Sequence, residues 1–138
     1  MSTNDKDILA LNQKLLNSIA SGDFSIYQSL NADDVTCFEP ETTGMLVQGL
    51  PFHKYYFDLD EATNDDTGAK LPITNITMSC PHVRRLGDNA FVLSYVRLNQ
   101  CLVDGSPVTK TVSETRIWEK RGDDWKHVHV HKSNPENW

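Results

Sequence analysis

The side chains able to do chemistry gather in the second half of the sequence, on runs that alternate apolar and polar residues. In Ala90–Val103 the alternation sets Phe91, Leu93, Tyr95 and Arg97 on one face, and in Val108–Arg121 it sets Val112, Glu114, Arg116 and Trp118 together. In Trp125–Ser133 it groups Val128, Val130 and Lys132 opposite His127, His129 and His131. A charge on an aromatic-rich face is costly to bury unless paired. Two arrangements satisfy that constraint. One is a salt-bridged core, with Glu114, Glu39 or Glu41 as counter-charge. The other is a cationic pocket for a small carboxylate, with Arg97 and Arg116 as forks and Lys132 as a point charge.

The three histidines invite a metal, since same-face residues two apart lie roughly 6.6 Å from each other along a strand. No acidic or cysteine ligand is placed beside them, so the expectation is an outer sheet face or subunit contact, with no metal. The acidic stretch from Asp58 lacks the punctuation of a calcium loop: Thr63 stands where an EF-hand needs Gly and Ala69 where it needs Glu.

Positioning these groups requires a long curved sheet. The four runs Ile73–Leu86, Ala90–Val103, Val108–Arg121 and Trp125–Ser133 are separated by short turn signals, Gly87-Asp88-Asn89, Asp104-Gly105 and Gly122-Asp123-Asp124, which predict an antiparallel meander. Runs this long persist in sheets that twist and bend, and Pro81 predicts a bulge in the first. Ahead of them, Ile8, Leu11, Leu15 and Ile19 recur at helical spacing, capped by Asn4 or Asp5 and closed by Ser21-Gly22. Asp23 can cap a second helix carrying Phe24, Tyr27 and Leu30; short strands follow around Val35–Phe38 and Met45–Val47, then a third helical piece from Phe52 to Leu59. The fold class expected is α+β, a strongly curved antiparallel sheet wrapped around the long N-terminal helix.

The totals set bounds. A chain of 138 residues fits one domain, here 1–138 with its core over about 5–134. A net charge of -6 disfavours nucleic acid and anionic membranes. Cys37, Cys80 and Cys101 lack metal or disulfide spacing and read as free thiols. The opening MSTNDKDILA has neither the basic start nor the apolar run of a signal peptide, which predicts a cytoplasmic location.

Several segments, in order, resemble the association (hub) domain of calcium/calmodulin-dependent protein kinase II. They are Ser21-Gly22-Asp23-Phe24 with Tyr27, Phe38-Glu39-Pro40-Glu41 with Gly44, and Phe52-His53-Lys54-Tyr55-Tyr56-Phe57. Pro81-His82-Val83, Tyr95-Val96-Arg97, Glu114-Thr115-Arg116-Ile117-Trp118 and Val128-His129-Val130-His131-Lys132-Ser133 continue the series. The resemblance covers about residues 8 to 134 and implies a nuclear-transport-factor-2-like cone that self-assembles into a stacked double ring of about a dozen subunits. It implies a partner in the chain itself, or in a kinase or other hub-bearing chain. It also implies an anion pocket of Arg97, Arg116, Lys132 and His53, walled by Tyr27, Tyr95, Trp118 and Glu114. At position 132 the family usually carries Arg; Lys keeps the charge and gives up the two-pronged geometry. No Gly-rich phosphate loop, H-R-D or D-F-G occurs in the 138 residues, so no kinase activity, catalytic residue or cofactor is expected. The competing expectation is an isomerase, cyclase or dehydratase on the same cone, because fold alone does not decide function.

Overall fold

The computed structural model describes residues 3–39, 45–51 and 73–133. Helix α1 spans Asp5–Ser21. Asn4 accepts from the Asp7 backbone N–H while the Asp7 carboxylate accepts from that of Asn4, closing a capping box over two donors the first turn cannot satisfy internally. Gly22 ends the helix at φ 71°, a left-handed conformation that a side chain would strain. Ile8, Leu15 and Leu16 are fully buried, and Leu11 and Ile19 pack half-buried beside them, so the expected stripe is the buried one. Each fully buried Leu contributes about 1.5–3 kcal/mol by leaving water. Asp23 caps α2, Phe24–Leu30, through the Ile26 N–H.

Among the described residues the sheet is six-stranded, in the order β2-β1-β6-β5-β4-β3. Strand β1 is Asn31–Phe38 and β2 is Val47–Gln48; β1 starts directly after α2 rather than near Val35. Strands β3 (Ile73–Arg85), β4 (Ala90–Val103), β5 (Ser106–Arg121) and β6 (Asp124–Ser133) form the antiparallel meander read from the turn signals. The β4–β5 turn holds Asp104 at φ 51° and Gly105 at φ 81°, the paired positive values of the turn whose twist matches a hairpin. In β3 the register slips between Ser79 and His82, with Cys80 at φ 49°, so Pro81 does sit in a bulge where its missing N–H leaves no gap in the ladder.

Two features were not legible. β1 joins the sheet by pairing parallel to β6, a contact between residues roughly a hundred positions apart that local patterning does not encode. In β6 the register passes from Trp118 opposite His127 to Ile117 opposite His129, making Val128 an extra residue. That bulge switches faces: His127 joins Val130 and Lys132 on the inner side, while His129 and His131 stay on the outer side. The strict alternation expected for the three histidines therefore fails, and His127, fully buried within the protomer, is drawn inward. The third helical piece, Phe52–Leu59, lies outside the described residues.

The helix α1 packs on the inner face of the sheet, and Phe91, Leu93, Tyr95 and Trp118 meet Ile8, Leu15 and Leu16 in one core. The result is the α+β arrangement expected, a curled, unclosed sheet with its long helix inside the curve. Cys37 and Cys101 are buried and Cys80 is exposed, all as free thiols. None of the described helices is long and apolar enough to cross a membrane.

Candidate functional site

Adjacent long strands carry the inner-face charges into register. Tyr95 of β4 lies opposite Glu114 of β5, and Glu114 lies opposite Lys132 of β6. Arg97 and Arg116 flank this row two residues along their strands, so Glu114 is held between two guanidinium groups. Its Oε2 is 2.9 Å from Arg97 Nη1 and 3.1 Å from Arg116 Nη2. Its Oε1 accepts from Tyr95 Oη at 2.6 Å and from Arg116 Nε at 3.1 Å. Lys132 pairs with Glu39 at the end of β1, Nζ to Oε1 3.1 Å.

The network extends beyond the charges. Asn12 of α1 donates to Tyr95 Oη at 3.0 Å and accepts from Trp118 Nε1 at 3.0 Å, tying the helix to the sheet. Arg116 Nη1 reaches His127 Nε2 at 3.2 Å, and His127 Nδ1 lies 2.7 Å from Asn31 Oδ1. Asn12, Asn31 and His127 were not expected as inner-face members. The one available signal was Asn12, a polar residue four positions after Ile8 on the apolar stripe of α1.

Burial by itself would raise the Glu114 pKa, but the fields of Arg116, Arg97 and Lys132 outweigh it and hold the carboxyl at about 2. Burial likewise opposes the charge on Arg116, and the Glu114 carboxylate more than restores it, raising that pKa. Tyr95 is pushed up to about 12, and Tyr27 is raised further, each mainly by desolvation. Cys37, buried beside Glu39, is pushed up to about 12. Glu114 is thus a committed anion, and the tyrosines and the thiol stay neutral at neutral pH.

Arg97 and Arg116 differ in how fully they are used. Arg116 is 1% exposed, and each of its three nitrogens has a partner. Arg97 is 8% exposed; Nη1 makes an ion pair with Glu114, but neither Nε nor Nη1 makes a hydrogen bond. Together Arg97, Arg116 and Lys132 set three positive charges against the two of Glu39 and Glu114, leaving one positive charge over among the described residues. The expected wall residues Tyr27, Tyr95, Trp118 and Glu114 are all buried around this cluster. His53 lies outside the described residues, as does Glu41. Both counter-charges that are described, Glu114 and Glu39, are engaged as the salt-bridge reading anticipated.

On the opposite face of the sheet an open groove of about 470 Å³ runs past Cys80, Ser94, Val96, Thr115 and His131. Side-chain alternation separates it from the charged cluster. His129 bonds Thr36 across the β1–β6 pairing at 2.7 Å, and its pKa is lowered by burial and by His131 nearby. No grouping of three metal-ligating side chains occurs among the described residues.

Comparison with known proteins places these features in a family context. Residues 4–136 match the family model described as the calcium/calmodulin dependent protein kinase II association domain. The alpha chain of calcium/calmodulin-dependent protein kinase type II from Drosophila melanogaster is 38% identical over 133 residues, covering 96% of this chain and 24% of that protein. The chain thus spans about a quarter of the length of such curated relatives. The hub homology domain of Chlamydomonas reinhardtii superposes with a TM-score of 0.82 at 46% identity, over 94% of this chain and 96% of that one. A nuclear-transport-factor-2-like protein of Rhodospirillum rubrum superposes with a TM-score of 0.68 at 25% identity, over 93% and 98% of the two chains, and marks the fold as that cone.

Proposed function

The chain belongs to the calcium/calmodulin-dependent protein kinase II association-domain family, and from that premise we propose that it is a self-assembling hub. Its copies close into a stacked double ring of about a dozen subunits, an arrangement that leaves no open interface. The scaffold then gathers whatever each copy is joined to, a kinase or another hub-bearing chain being the partner the family suggests. The observation that carries this reading is the match across residues 4–136, nearly the whole chain.

Within the protomer, the inner-face cluster takes a small carboxylate. Arg97 supports this most directly, because it is buried and its Nε and Nη1 make no hydrogen bond. Arg116 and Lys132 complete the cationic surround among the described residues, with Tyr27, Tyr95, Trp118 and Glu114 as its wall; the family resemblance adds His53, which lies outside the described residues. An isomerase or dehydratase on the same cone is disfavoured by Glu114, whose two arginine partners hold it too acidic to abstract a proton.

Native mass spectrometry tests the hub. A particle of about ten or more subunits is the expected result; a monomer or a simple dimer would end the hub reading and turn attention to the pocket as a small-molecule site.

A further inference from the structure

We infer that Asn99 is a specificity-determining residue of the inner-face site: its buried side-chain oxygen selects, among small carboxylates, those that also carry an uncharged hydrogen-bond donor. The inference deepens the carboxylate reading above and rests on it.

Asn99 lies two residues after Arg97 on β4, and alternation sets both on the inner face, in the row that runs Tyr95, Arg97, Asn99 and Cys101. Its cross-strand neighbours are Ile76 of β3, which belongs to the core, and Lys110 of β5. The Asn99 Oδ1 is shut off from solvent and accepts no hydrogen bond among the described residues. Arg97 Nε and Nη1 are shut off in the same way and donate none. An orphan acceptor and two orphan donors thus occur on residues roughly 6.6 Å apart along one strand, and they do not satisfy each other.

A buried polar group in this condition is uncommon and costly, because it has given up water and gained no partner. One molecule removes the whole deficit if it accepts at Arg97 and donates at Asn99. A plain alkanoate answers only the first requirement and leaves the oxygen without a partner beside its chain. A site of this kind discriminates against the analogue that lacks the donor, since what is lost is a bond to a buried polar group.

Charge narrows the donor. Arg97, Arg116 and Lys132 outnumber Glu39 and Glu114 by one, and Lys110 stands opposite Asn99 across the β4–β5 ladder. One carboxylate balances the surplus. An ammonium group beside Asn99 would restore it and meet Lys110 as a like charge. An uncharged N–H or O–H donates without that cost. The ligand class is therefore a short monocarboxylate with a neutral donor toward its other end.

Asn99→Leu, close in volume, removes the acceptor, and chemical unfolding supplies the ligand-free test. Leucine deletes an oxygen that the protomer does not use, so the folding equilibrium constant of N99L should lie within about threefold of wild type or above it. A larger loss would mean that the protomer satisfies Oδ1 by itself, through a buried water for example, and overturns the inference. Calorimetric titration with butyrate, succinamate and 4-aminobutyrate, acids of equal carbon number, then reads the site. Wild type should bind succinamate about tenfold more tightly than butyrate, and 4-aminobutyrate no more tightly than butyrate. N99L should bind succinamate and butyrate alike. No preference for succinamate in wild type, or the same preference in N99L, overturns Asn99 as the selector while the carboxylate reading stands. Tightest binding of 4-aminobutyrate by wild type overturns the uncharged donor. If none of the three binds wild type, the carboxylate reading fails and the inference falls with it.

Discussion

At the residue scale, Glu114 is the point on which the inner face turns. It is 3% exposed and pairs with two arginines at once. Removing one partner of a buried ion pair leaves an uncompensated charge, which costs about 3–5 kcal/mol. Glu114→Gln should therefore destabilise the fold by that order in urea unfolding, because Arg97 and Arg116 cannot shed their protons. Glu114→Ala would add a cavity, which makes the isosteric amide the cleaner measurement. Acid provides a second check. The carboxyl is held at about 2, well below the ordinary carboxylate range, so its contribution is whole above that range and is lost as pH falls through about 2. The stability at stake is on the order of 3 kcal/mol. E114Q should show a correspondingly flatter acid limb, and an unchanged limb would mean that other carboxylates govern acid unfolding.

At the scale of elements, Asn12 joins α1 to the sheet by satisfying Trp118 and Tyr95 together. Asn12→Ala strands the buried Trp118 indole N–H and removes a donor from Tyr95 Oη; it should cost about 2–3 kcal/mol, more than the two hydrogen bonds contribute net, because unmade buried bonds are the expensive ones. Far-ultraviolet circular dichroism should stay unchanged while the unfolding midpoint drops. Gly22→Ala tests a different term: nothing lies within 4 Å of the added Cβ, so its cost comes from φ 71° alone and should be about 1–2 kcal/mol. Most of this layer was legible. Helix caps, hairpin turns and the Pro81 bulge depend on a few adjacent residues, and the pairing of Arg97, Arg116 and Lys132 with Glu114 and Glu39 follows from the rule that buried charges find partners. What escaped depends on distant registers. The single extra residue Val128 turns His127 inward, and only the pairing of β6 with β5 and β1 reveals it. Asn31 was hidden for the same reason, since its partner His127 lies 96 positions away.

At the scale of the molecule, the sheet's outer face bears on assembly. It presents His129 and His131 beside the half-buried Phe38, with ring centroids 6.1 and 5.2 Å from that phenylalanine. Val96 on the same face is 38% exposed. A face of hydroxyls, imidazoles and a few apolar groups suits contact between copies while the rings are neutral. Burial and the neighbouring His131 already lower the His129 pKa in the protomer, and covering the face would lower it further. Assembly through this face would therefore be complete above the ordinary histidine range and weaken as pH falls below it, as like charges accumulate on both sides of the contact. Native mass at pH 8 and pH 5.5 measures this directly. The wild-type particle should shed subunits at the lower pH, and a His129→Gln, His131→Gln double variant should keep its mass at both. His127→Gln should dissociate like wild type, because the native His127 ring is fully buried inside the protomer. A wild-type particle of constant mass across that interval would place His129 and His131 away from the contact, and the assembly would then have to be held by another surface.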